Sequence, residues 1–90
     1  MADEPLQTVV LRFAPSVAKR VAETRWHPSQ ELEAQPDGSL VWRGRVAGVR
    51  EIRLWILGWG PDVEVLEPAA LRADVAEAAR QAAALYVEEA

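Results

Sequence analysis

Residues 49–59 read VREIRLWILGW, and their conformation decides the fold. A short apolar run of this kind suits either a helix or a buried strand on periodicity alone. Placed on a helix, Val49, Ile52, Trp55, Ile56 and Trp59 share one face. Gly58 and Gly60 then fall where a helix C-terminus favours glycine. The helical reading leaves Arg50, Arg53, Leu54 and Leu57 on the other side, which is unusually apolar for a face in solvent.

Upstream, residues 29–48 form a hairpin around Pro36-Asp37-Gly38. A two-residue Asp37-Gly38 loop would set Glu33 opposite Trp42 and bury acids. A three-residue loop puts Pro36 and Asp37 at the centre of a type I turn, with Gly38 left-handed as a bulge. That shift pairs Ala34 with Leu40, Leu32 with Trp42 and Glu31 with Arg43. Apolar then meets apolar and acid meets base, so this register is adopted.

Further out, residues 7–13 (QTVVLRF) alternate as a strand, with Val9, Leu11 and Phe13 inward. Pro15 suits the first turn of a short helix whose stripe is Val17, Ala18, Val21 and Ala22. The segment WHP ends that helix, because a residue before proline is pushed out of the helical region. Residues 61–67 (PDVEVLE) read as a strand. Residues 69–87 read as an alanine-rich helix with Leu71, Val75, Ala78, Ala82 and Leu85 at threes and fours. Residues 1–6 read as a linker or tail, 7–87 as one domain, and 88–90 as a tail.

The order β-α-β-β-α-β followed by a long helix is the split βαβ, ferredoxin-like arrangement. The expected class is α+β, with a four-stranded antiparallel sheet and an additional C-terminal helix. Two helices would cover one sheet face. The other face would show Thr8, Val10, Arg12, Glu31, Glu33, Val41, Arg43, Arg45, Glu64 and Leu66.

Ninety residues hold one domain at most, and half of them are hydrophobic. The chain has no cysteine, which excludes disulfides, thiolate metal sites and a cysteine nucleophile. A single histidine excludes a multi-histidine site within one chain, so neither metal nor cofactor is expected. The net charge of −4 argues against a generic nucleic-acid binder. Residues 40–60 nevertheless carry Arg43, Arg45, Arg50 and Arg53 against Glu51 alone, between acidic ends. The opening MADEP is acidic and the run LWIL at 54–57 is far short of a membrane span, so a cytoplasmic protein is expected.

Taken together, VVLRFAPSVAKRVAETRWHPSQELEAQPDGSLVWRGRV (9–46) and LWILGWGPDVEVLEPAALR (54–72) resemble the WCX domain. That domain is the C-terminal extension of bacterial WYL-domain transcriptional regulators. The resemblance covers residues 8–87 and rests on the order and spacing of its segments. It implies a non-catalytic module that dimerises and helps sense a ligand or nucleic-acid fragment. The partners implied are a second copy and the WYL and helix-turn-helix domains of the same regulator. This sequence carries no helix-turn-helix and no Trp-Tyr-Leu tripeptide, so direct operator binding is not expected of these residues. Trp26, His27, Ser29 and Gln30 fall in the family's most recognisable segment.

Other readings of the same residues stay open. Arg12, Arg43 and Arg45 could converge on the open sheet face to receive a phosphate or carboxylate, or they could form a solvated, salt-paired face. A stand-alone sensor of a small anionic ligand is the alternative that follows from the first case. No aromatic falls on that face, which argues against single-strand base readout. Glu31 and Glu33 project together, and pairing with Arg43 and Arg45 accounts for them better than metal or acid–base chemistry. His27 lacks a nucleophile elbow or oxyanion signature and is expected to fix the WHPSQ crossing. An acylphosphatase-type hydrolase would fit the topology, but no matching phosphate loop is present. Trp42, Trp55 and Trp59 read as core. Arg50, Arg53, Leu54 and Leu57 form the candidate interface, with the last helix as its rival.

Overall fold

The alternation of Val9, Leu11 and Phe13 is realised in a central strand. In the computed structural model of the chain, which describes residues 5–87, β1 spans Leu6–Phe13 and buries all three side chains completely. Of the expected tails at 1–6 and 88–90, residues 1–4 and 88–90 lie outside the described residues, and Leu6 already belongs to β1. The remaining elements are α1 (Pro15–Ala22), β2 (Glu31–Ala34), β3 (Leu40–Ala47), α2 (Arg50–Gly58), β4 (Val63–Glu67) and α3 (Ala69–Ala84). A 3-10 turn at Gly60–Asp62 leads from α2 into β4. The sheet order is β2-β3-β1-β4, with every neighbouring pair antiparallel. This is the ferredoxin-like α+β arrangement with one further helix.

The hairpin adopts the three-residue loop. Gly38 has φ +91° and donates its N–H to the Gln35 carbonyl at 3.0 Å, while Gln35 donates to the Ser39 carbonyl at 2.9 Å. Ala34 pairs with Leu40, Leu32 with Trp42 and Glu31 with Arg43, as the turn chemistry requires. β2 is a short edge strand, and all four of its residues are exposed.

Residues 49–59 are helical. Ile52 and Ile56 are buried, and Val49, Trp55 and Trp59 pack against the core. Burying each isoleucine contributes about 1.5–3 kcal/mol. Gly60, at φ +60°, takes the left-handed position just past the helix end. Trp26 joins this layer from the loop after α1. Its ring stacks on Trp55 with centroids 5.0 Å apart, and Trp42 lies 5.6 Å from Trp55. Phe13 closes the group at 5.5 Å from Trp59.

Two expectations need correction. The covered face is not sealed by two helices alone, because Leu71 of α3 also enters the core. The apolar stripe of α3 is divided as well. Leu71 is buried and Val75 packs on the core, but Leu85 is 80% exposed. A helix of 16 residues is about 24 Å long, and the five-residue β4 it packs on ends first.

The charged sheet face and the 26–30 crossing

Alternation along β1 and β3 places Arg12, Arg43 and Arg45 on the sheet face without helices. Arg12 stands opposite Val41, Val10 opposite Arg43, and Thr8 opposite Arg45. All three arginines are exposed. Val10 and Val41 share this face yet are buried, although their alternation pointed them outward. Val41 stands between Arg12 and Glu33, and Val10 between Arg43 and Glu67, whose side chains are long enough to shield an apolar neighbour with their aliphatic parts.

The three guanidinium groups have different surroundings. Arg12 donates through Nη2 to Asp37 Oδ2 and through Nε to Ser39 Oγ at 3.2 Å. Ser39 is nearly fully buried and donates its own N–H and O–H to Asp37 Oδ1, at 2.9 and 2.6 Å. These Ser39 bonds, together with Arg12, hold the Asp37 carboxyl at about 2 against the usual 3.8. A shallow depression beside Arg12 is lined by Ser39, Asp62 and Glu64, so acids surround this end of the face. Arg43 Nη1 donates to Glu33 Oε1 at 2.7 Å. Arg45 has no carboxylate within ion-pair distance among the described residues. The paired-charge expectation thus holds for Glu33 with Arg43, whereas Glu31 and Arg45 enter no ion pair there.

The segment Trp26, His27, Ser29 and Gln30 is a hydrogen-bonded crossing from α1 into β2. Gln30 Oε1 accepts from the Trp26 N–H at 2.7 Å, the His27 N–H at 3.1 Å and Trp42 Nε1 at 3.1 Å. Gln30 Nε2 donates to the Thr24 carbonyl at 3.1 Å. One amide therefore ties the loop to the most buried tryptophan. Ser29 N–H lies 3.1 Å from His27 Nδ1 and Ser29 Oγ lies 2.8 Å from the same nitrogen, so the ring is held against the Ser29 turn. Ser29 Oγ also accepts from the Arg45 N–H at 2.8 Å, so the crossing clamps β3 at Arg45.

The candidate interface residues are brought only partly together. Arg53 is drawn into an ion pair with Asp74 of α3, and Leu57 is half-buried. Arg50 and Leu54 stay exposed on the outer side of α2. Sequence reasoning missed the Asp37–Ser39 clamp on Arg12. The Asp-Gly-Ser turn was visible, but the reach of Arg12 across 25 positions was not. No group of three or more metal-ligating side chains occurs among the described residues. Nor is any described helix long and apolar enough to cross a membrane.

These features define a small ferredoxin-like module with one face closed by helices and the other open and charged. The family model of the WCX domain matches residues 5–83. The chain belongs to the WCX domain family, which is associated with WYL-type regulators. Comparison with curated proteins found no match.

Proposed function

We propose that the chain is a non-catalytic regulatory module of a WYL-type transcriptional regulator, acting in the cytoplasm. It self-associates and helps sense an anionic ligand, or a nucleic-acid fragment, for an attached DNA-binding domain. Arg43 and Arg45 receive the anion on the open sheet face, with Arg12, tied to Asp37, at the margin of the group, and Arg50, Arg53, Leu54 and Leu57 contribute to self-association. The observation that carries this reading is the gathering of three arginines on an uncovered face in a chain of this family. The mechanism is a population shift, in which ligand favours one arrangement of the dimer and so changes DNA binding elsewhere.

Sedimentation of the chain over a range of concentrations tests self-association, with a reversible dimer expected. Calorimetry with nucleotides, short oligonucleotides and small acids tests sensing. A strict monomer that yields no heat with any of them overturns the reading.

A further inference from the structure

The three arginines are unequally available, and this deepens the proposed anion site. Arg12 is held by Asp37 and Ser39 at an end of the face that also carries Asp62 and Glu64. Arg45 is exposed, free of ion pairs among the described residues, and directly opposite exposed Thr8 in the strand register. Its backbone is clamped by Ser29 Oγ, so the strand beneath it is fixed. Arg43 lies two positions away on the same face, about 7 Å along the strand. Its guanidinium is occupied by the Glu33 carboxylate at 2.7 Å, and Glu31 stands directly across from it.

A guanidinium fork with a neighbouring hydroxyl matches the donor pattern that a tetrahedral oxyanion accepts. A carboxylate on the adjacent arginine occupies the place that a second oxyanion edge would take. We infer that Arg45, with Thr8, is the primary anchor for a phosphoryl group, and that Glu33 is a built-in competitor which the group displaces from Arg43. This inference rests on the anion-sensing reading above and adds an order of engagement to it.

The test uses the whole chain and inorganic phosphate, followed by NMR at constant ionic strength. The expected result is saturable shifts centred on Thr8, Arg43 and Arg45. Arg45→Gln abolishes them. Glu33→Gln tightens binding by up to about five-fold, the upper end for release of an exposed ion pair, and Glu31→Gln tightens it less. Arg20→Gln, exposed on α1 and so away from the helix-free sheet face, serves as the charge control and leaves affinity unchanged. A second titration with a nucleoside 5′-monophosphate separates the sources. Equal affinity assigns the site to the phosphoryl group alone, and tighter affinity assigns it to the ester. If phosphate binds but Glu33→Gln weakens it, or if Arg45→Gln leaves it intact, this inference falls and the anion-sensing reading survives. If no variant binds any anion, both fall.

Discussion

The six-membered ring of Trp42 lies directly over Gly44, two residues along the same face of β3. A Cβ at Gly44 would stand 2.4 Å from Cη2 of that ring and 2.7 Å from Cζ3. Real side chains do not approach so closely, so the largest fully buried side chain depends on a missing methyl group.

Gly44→Ala is therefore expected to destabilise the fold by about 1–3 kcal/mol, the usual cost of overpacking a filled core. The normal strand preference for alanine over glycine opposes this, at about 0.5–1 kcal/mol. Chemical denaturation reads the net change. A stability equal to or above the parent chain would mean that Trp42 moves aside freely.

Gln30 holds three N–H groups at one oxygen, and one of them belongs to fully buried Trp42. Gln30→Ala leaves the indole N–H without its partner, at a cost of about 1–3 kcal/mol. Gln30→Glu keeps the acceptor but loses the bond to the Thr24 carbonyl. The alanine variant is expected to be the weaker of the two, with faster exchange of the Trp42 indole proton. Equal stability in both would remove the role assigned to the oxygen.

The Asp37 carboxyl is depressed to about 2, first by Ser39 and then by Arg12. A depressed acid stabilises the fold above its unfolded value and loses that contribution as pH falls through the folded one. The hairpin is expected to loosen as pH drops from about 4 toward 2, with a carboxyl titration near the lower end. Ser39→Ala should move that titration upward. An NMR titration of the Asp37 carboxyl checks both, and an unchanged midpoint in the variant would contradict the assigned cause.

Leu54 is 64% exposed and is not among the buried residues that form the core. Leu54→Ser is expected to change monomer stability by less than about 0.5 kcal/mol. Self-association should weaken in the same variant, as sedimentation would read. A dimer of unaltered strength would take Leu54 out of the interface.

The local pattern was legible wherever short-range chemistry left one solution. Pro36-Asp37-Gly38 determined the hairpin register, because the alternative loop would have buried Glu33. Residues 49–59 allowed a strand as well as a helix, and the shared face of Val49, Ile52, Trp55, Ile56 and Trp59 favoured the helix that forms. The alternation in β1 and β3 correctly named which side carries Arg12, Arg43 and Arg45.

The rest depended on which side chains meet across long separations, and no local rule specifies that. Arg12 reaches Asp37 from 25 positions away, which removes it from the free cations of the face. Trp26 lies in a loop with no periodicity, yet it stacks on Trp55 because Gln30 holds the loop against Trp42. The stripe of α3 looks continuous from Leu71 to Leu85, but its burial stops where β4 no longer supports it. Periodicity identifies the face an element offers. How much of that face is covered depends on the length and placement of its neighbours, which is a property of the assembled chain.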